Sequence, residues 1–184
     1  LASMGIYIFK FEVLKDMLLN YCGPNGSEDF GKDIIPRMIG RYKMNAYKFH
    51  GYWKDVGTLE EYWRANIELT GDYPPLDLYE EDFKIHTKRE ELPPVKFGKN
   101  GVAKHSLVSN GCIIKGYVEN SVISPGVTIE EGAVVKNSMV FTNTIIKKDI
   151  APYSIVKNKF NNTIIQLDEK QIINKLIANY NDKQ

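Results

Sequence analysis

The sequence predicts an α/β segment followed by a parallel β-helix. Three observations carry this reading. The first seventy residues alternate strand-like and helix-like apolar patterns. Apolar side chains between Ser106 and Ala151 recur every six residues. Between these stretches, from Thr70 to Gly101, periodicity gives way to Pro74-Pro75, Pro93-Pro94, Gly98, Gly101 and runs of charge.

Taken in order, Ile6, Tyr7, Ile8 and Phe9 form a nearly continuous apolar run, the pattern of a strand buried on both faces. Phe11 to Tyr21 follows with Val13, Leu14, Met17, Leu18 and Tyr21 at helical spacing. Gly23-Pro24-Asn25-Gly26 reads as a turn. Ser27 or Asp29 caps a second helix, Phe30 to Ile39, in which Pro36 implies a short first helix or a kink. Ala46-Tyr47-Lys48-Phe49 has the aromatic alternation of a strand. Thr58 then reads as an N-cap, with Glu61 completing a capping box, for a helix from Leu59 to Thr70. Strand, helix, helix, strand, helix is α/β in character, with too few strands for a whole doubly wound sheet.

Domain boundaries follow from these changes. Residues 1–72 form the α/β part, 73–105 a connector and 106–184 the β-helix with its tail. The connector carries Leu76, Leu78, Tyr79, Phe83, Ile85, Val95 and Phe97, so it is expected to pack on a surface rather than swing free. In the third region Val127, Ala133, Met139, Ile145 and Ala151 fall six apart, with Ile129, Val135 and Phe141 as a second row. A small residue precedes each of the first four: Gly126, Gly132, Ser138 and Thr144. Neither a helix nor a hairpin has that period, whereas a parallel β-helix does. The reading therefore stacks Val127, Ala133, Met139 and Ile145 inward. Thr163 to Leu167 closes the region as an end strand, and Asp168 or Glu169 starts a helix bearing Ile172, Ile173, Leu176, Ile177 and Tyr180.

The bulk numbers bound the function. A net charge of +1 argues against a nucleic-acid or acidic-membrane partner. With 43% hydrophobic and 26% charged residues, the chain reads as a globular protein. No apolar run approaches the length of a membrane span, and no signal peptide is visible. Cys22 and Cys112 lie far apart and match no metal spacing, which suits a cytoplasmic chain with two buried thiols. Leu1-Ala2-Ser3 runs straight into a strand pattern, as in the middle of a longer protein.

Few residues announce chemistry. His50, His86 and His105 do not cluster at metal spacing. No Gly-rich phosphate loop is present, and Asp29-Phe30-Gly31 matches a kinase metal motif in letters only. Lys96, Lys104 and Lys115 read as a solvated face. Asp55 stands apart because it sits in the turn between a strand and a helix N-terminus, the side of an α/β sheet where ligands bind. A carboxylate there suits a divalent metal held against a phosphate. It equally suits an ordinary solvated turn, and spacing alone favours the latter.

Longer motifs carry a resemblance. Leu1-Ala2-Ser3-Met4-Gly5-Ile6-Tyr7, Asp29-Phe30-Gly31-Lys32-Asp33-Ile34-Ile35-Pro36, Tyr52-Trp53-Lys54-Asp55-Val56-Gly57-Thr58 and Leu92-Pro93-Pro94-Val95-Lys96-Phe97 occur in this order, followed by Ser106-Leu107-Val108-Ser109-Asn110-Gly111-Cys112. Together they resemble the second half of bacterial glucose-1-phosphate adenylyltransferases. That resemblance implies a fragment: the C-terminal part of a Rossmann-like nucleotidyltransferase domain followed by a left-handed parallel β-helix. The left hand comes from the resemblance, since the general crossover rule favours right-handed connections. It implies transfer of the adenylyl group of ATP to glucose 1-phosphate for glycogen biosynthesis, with Mg²⁺, by an allosteric homotetramer or heterotetramer. Ser3 matches the serine that touches glucose 1-phosphate, Asp55 the second metal-binding aspartate, and Trp53 and Asp29 lie in motifs lining the sugar side. No ATP-binding residue of the family falls within the matched stretches. The rival readings are a non-catalytic regulatory subunit of the same family and, further off, a β-helix acyltransferase. The retained Asp55 speaks against the first, and His105, lying before the regular repeats, against the second.

Overall fold

The computed structural model describes residues 3–21, 29–88, 90–157 and 163–174. The chain divides into two compact units, Leu1–Trp53 and Lys54–Gln184.

In the first unit, helix α1 spans Phe11–Tyr21. Asp29 begins a π-helical turn, Phe30–Ile34, that runs into the short helix α2, Ile35–Met38. Pro36 falls where the π turn passes into α2, within the first two positions of that helix. Met17, Ile34 and Met38 are buried together, with Phe9, Val13, Phe30, Ile35 and Tyr42 packed around them. Asp16 on α1 ties this core to the following loop, accepting from Tyr42 and from Asn20. Those two hydrogen bonds, Tyr42 first, hold its carboxyl below the usual aspartate range.

Two sequence expectations fail in this unit. No described residue forms a ladder with Ile6–Phe9 or with Ala46–Phe49, and neither stretch is a strand. Residues 6–9 keep the strand period of two, with Tyr7 and Phe9 half-buried but Ile6 and Ile8 exposed. Their burial is therefore one-sided. Residues 43–50 are exposed throughout. A strand exists only through its paired neighbour, and apolar pattern alone does not supply one. The turn at Gly23-Pro24-Asn25-Gly26 lies outside the described residues.

The second unit opens with helix α3, Leu59–Ile67, extended by a 3₁₀ turn, Glu68–Thr70. The hydroxyl of Thr58 accepts the N–H of Glu61 at 3.2 Å, as an N-cap should. A β-solenoid of about four coils follows, in which the described residues form twelve short strands in three sheets. The first sheet holds β1 (Lys96–Phe97), β4 (Ile113–Ile114), β7 (Thr128–Ile129) and β10 (Ile145–Ile146). The second holds β2 (Val102–Lys104), β5 (Tyr117–Glu119) and β8 (Val134–Lys136). The third holds β3 (Leu107–Val108), β6 (Val122–Ile123), β9 (Met139–Val140) and β11 (Ser154–Lys157), all parallel. Strand β12, Thr163–Gln166, closes the third sheet antiparallel to β11. The first two strands, β1 and β2, fall within the span read as connector.

The interior is a stack of aliphatic side chains: Ile114, Val118, Ile123, Val127, Ile129, Ala133, Val135, Val140, Ile146 and Val156. Each fully buried Val or Ile among them contributes about 1.5–3 kcal/mol. Val127, Ala133, Ile129 and Val135 are inside as the six-residue rows require. Met139, Ile145 and Ala151 are not part of this stack. Met139 is buried against the outer cluster of Trp63, Ile155 and Ile172, Ile145 is 45% exposed, and Ala151 is exposed. The cause is a corner. Asn137 turns the chain with φ +47°, and the inward side chains step from Val135 to Val140 in five residues instead of six. Every later member of the projected row is thereby shifted onto the outer face. Phe141, in the second row, is half-buried in the same outer cluster.

That corner recurs. His105, Asn120, Asn137 and Tyr153 all have φ between +42° and +60°, and each is followed by a serine. Asn visits this region more readily than most residues. Ser106, Ser121 and Ser138 each accept, through Oγ, the N–H of the corresponding serine one coil later at 3.1 Å. The same hydroxyls donate to backbone carbonyls of their own coil, Lys104, Glu119 and Lys136. The buried polar column is therefore fully paired, as a dry interior requires.

Candidate functional site

Within the first unit, the Ser3 hydroxyl shares a 2.7 Å hydrogen bond with the Tyr7 hydroxyl and accepts the N–H of Gly5 at 3.1 Å. The Tyr7 ring stacks on Phe30, centroids 5.8 Å apart and 17° between planes, with Phe9 tilted against both. Asp29 immediately precedes Phe30. Its Oδ1 accepts the N–H of Lys32 at 2.8 Å, and its Oδ2 lies 3.9 Å from the Lys32 ammonium. Ser3, Tyr7, Phe30 and Asp29 thus form one continuous patch, two hydroxyls beside a stacked aromatic pair and an exposed carboxylate. Such a mixture of ring face and hydrogen-bonding groups suits a polar ring-shaped ligand. Tyr7 was not singled out from the sequence. Its signal there is a hydroxyl four residues from Ser3 across a glycine, which by itself points to no particular contact. Trp53 ends this unit and is 42% exposed.

Asp55 opens the second unit in an irregular segment, residues 52–57, that leads into the cap of α3. Its Oδ1 accepts the N–H of Gly57 at 3.1 Å, and its Oδ2 has no hydrogen-bond partner among the described residues. The side chain is exposed rather than built into the core. A hard divalent cation binds one or two carboxylates and takes its remaining oxygens from water and phosphate. An exposed carboxylate with one oxygen steered by the backbone and the other open fits that role as a single ligand. Among the described residues no three His, Cys, Asp or Glu side chains converge on a common point.

The turn rests on a firm base. Trp63, on α3, donates its indole N–H to the carbonyl of Asn137 at 2.9 Å, and Thr70 donates to the Asn120 amide oxygen at 2.7 Å. Helix α3 is thereby fixed to the corner of the solenoid, and Trp63, Met139, Ile155 and Ile172 share a buried cluster. Ile172 also places the start of the tail helix on this outer face; its later residues lie outside the described residues.

A shallow cleft runs beside the same corner. Along it His105 Nδ1 lies 3.2 Å from Asp72 and Lys136 pairs with Glu119 at 2.9 Å. The Lys136 hydrogen bond draws the Glu119 carboxyl below its usual range, and Glu119 raises the Lys136 ammonium in turn. Lys115 is engaged by Glu130 at 2.8 Å, and Lys104 lies 5.9 Å from the centre of the Tyr117 ring. Cys112 is a buried thiol, pushed up by desolvation, and donates to the Ser124 carbonyl. No helix among the described residues is long and apolar enough to cross a membrane.

Comparison with known proteins matches two family models to the chain. Residues 1–71 match a nucleotidyl transferase and residues 93–166 a GlmU-like, C-terminal hexapeptide. The chain is similar to a glucose-1-phosphate adenylyltransferase of Fervidobacterium nodosum, at 45% identity over 151 residues, 82% of this chain and 36% of that protein. It is similar to one of Acetivibrio thermocellus, at 43% over 159 residues, 85% of this chain and 37% of that one. To one of Bacillus cereus it is 41% identical over 152 residues, 82% and 40% of the two chains. The chain therefore spans well under half the length of these curated relatives. The nucleotidyl transferase match runs past the boundary between the compact units, so α3 carries transferase sequence while packing on the solenoid.

Proposed function

The chain is related to the glucose-1-phosphate adenylyltransferases, and we propose that it forms the C-terminal part of an enzyme converting ATP and glucose 1-phosphate to ADP-glucose and pyrophosphate. The observation that carries this reading is the transferase match over residues 1–71, which runs through the Asp55 turn and the Ser3 patch. In the reaction a phosphate oxygen of the sugar phosphate forms a bond to the α-phosphorus of ATP, and the bond to the leaving pyrophosphate breaks in line.

Ser3 donates its hydroxyl to the sugar phosphate, and Asp29 and Trp53 line the sugar side. Tyr7, already hydrogen-bonded to Ser3, orients that hydroxyl. Asp55 would be a carboxylate ligand to Mg²⁺, and a Mg²⁺ held there would supply charge neutralisation to the phosphates. On this reading the remaining nucleotide and metal contacts come from outside these 184 residues, so the 184-residue chain alone is not expected to form ADP-glucose. The full enzyme is read as a cytoplasmic, allosterically regulated homotetramer or heterotetramer of glycogen biosynthesis, its β-helix left-handed. Retention of Asp55 favours the catalytic chain over a regulatory subunit.

The test is synthesis of ADP-glucose by the full-length protein, followed as pyrophosphate release from ATP and glucose 1-phosphate with and without Mg²⁺. Metal-dependent release with ATP supports the reading. Release that occurs only with another nucleoside triphosphate, or none at all from well-folded protein, contradicts it.

A further inference from the structure

Beside Asp55 stands a contact that the reaction scheme does not use. The Lys54 ammonium donates to Glu68 Oε1 at 2.6 Å, with 26% and 33% of the two side chains exposed. Glu68 lies at the far end of α3, where the helix passes into its 3₁₀ turn. Thr58, at the near end, caps the same helix. The four steps from Lys54 to Thr58 reach about 13 Å when extended, and the rise from Leu59 to Glu68 is about 13.5 Å. The segment bearing Asp55 thus folds back along α3 and is pinned at both ends, by Thr58 at one and Lys54 at the other. Between the pins, Gly57 fixes one Asp55 oxygen at 3.1 Å.

We propose that Lys54 is a positioning residue whose ion pair with Glu68 holds the Asp55 carboxylate where a divalent cation can use it. The proposal rests on the metal role of Asp55 given above. Two features separate positioning from simple charge. An ammonium next to a cation ligand opposes cation binding, so removing Lys54 for its charge alone would tighten the metal. Removing a strap would loosen it. The sign of the change therefore identifies the role. Groups that orient metal ligands typically change metal affinity or activity by about 10–100-fold when removed.

The experiment measures Mn²⁺ binding to the full-length protein, read from the electron paramagnetic resonance signal of the free aqua ion, together with the melting temperature without metal. Lys54→Met is expected to weaken the Asp55-dependent binding about tenfold while the melting temperature stays at the parent value. Lys54→Arg, which restores the pair to Glu68, is expected to bind as the parent does. In turnover, the apparent metal KM is expected to rise while kcat at saturating metal stays near that of the parent. Unchanged or tighter Mn²⁺ binding by Lys54→Met overturns the proposal. Should Lys54→Met melt early, the neutral and polar Lys54→Ser decides in its place: weakened binding supports the strap, and parent-like or tighter binding overturns it. Asp55→Asn that binds Mn²⁺ like the parent overturns the metal role of Asp55 and, with it, this inference. Asp55→Asn that loses binding beside a parent-like Lys54→Met overturns this inference alone.

Discussion

The indole nitrogen of Trp63 donates to the backbone carbonyl of Asn137 across 74 residues of sequence, at 2.9 Å. Asn137 is a left-handed corner of the solenoid, and Trp63 is 4% exposed on the helix that follows the Asp55 turn. One contact thus joins the helix that matches a transferase to the fourfold corner of a repeat structure. Trp63→Ala is expected to destabilise the second unit by about 3–5 kcal/mol, the range for a large buried aromatic. Trp63→Phe keeps a ring but strands the Asn137 carbonyl, and is expected to cost about 1–3 kcal/mol. Denaturant unfolding measures both. Equal stability of Trp63→Phe and the parent would show that the hydrogen bond contributes nothing.

Val127 and Ile145 test the corner shift. Both belong to the six-residue row, but Val127 is fully buried and Ile145 is 45% exposed. Val127→Asp places a carboxylate in a dry stack and is expected to give unfolding or aggregation. Ile145→Asp is expected to stay within about 0.5 kcal/mol of the parent, as surface substitutions do. Melting curves of the two variants side by side check this. Equal damage from both would mean that Ile145 also faces inward.

Ser138 sits in the middle of the serine column. Its Oγ accepts the N–H of Ser154 and donates to the Lys136 carbonyl. Ser138→Ala leaves a buried N–H unpaired and is expected to cost about 1–3 kcal/mol. Ser106→Ala, at the half-buried start of the column, is expected to cost less, because water can reach the vacated position. Chemical denaturation ranks the pair, and the reverse order would contradict the column.

Glu119 and Lys136 predict a pH window. The Lys136 hydrogen bond lowers the Glu119 pKa, so its contribution is present above the unfolded value, about 4.3, and fades as pH falls through the folded value. The Lys136 pKa is raised, so its share is full below about 10.4 and fades as pH rises through the folded value. The stability difference between the parent and Glu119→Gln should therefore form a plateau between these limits and shrink on both sides. Both groups are partly exposed, so the plateau is expected to be low and to fall further with salt. Denaturant midpoints across pH test it, and a difference that ignores pH would contradict the pairing.

Elements whose signal is local were legible from sequence. Helix α1 covers Phe11–Tyr21 as its apolar spacing demands, and the caps at Asp29 and Thr58 form as their residue types suggest. The solenoid was legible where its coil runs straight, from Val127 through Val135. It became illegible at Asn137, because one residue fewer at a corner moves every following side chain to the opposite face. The repeated corner serines at 106, 121, 138 and 154 carry that information, but their spacing follows the whole coil rather than the six-residue third of it. The strand patterns at 6–9 and 46–49 failed for another reason: pairing partners are not written in the strand itself. In the candidate site, Asp55 was visible from its place before a helix cap. Tyr7 was not, because only folding brings its hydroxyl to Ser3.

Asp55→Asn in the full-length protein tests the central claim most directly. Asn keeps the size of the side chain and the contact with the Gly57 N–H but removes the full negative charge. The measurement is kcat for ADP-glucose formation as Mg²⁺ is varied, with the melting temperature recorded without ligands. The account predicts a fall in kcat of about two to three decades, a higher Mg²⁺ requirement and an unchanged melting temperature. A well-folded Asp55→Asn enzyme with parent-like kcat and Mg²⁺ dependence would contradict it and return Asp55 to a solvated turn.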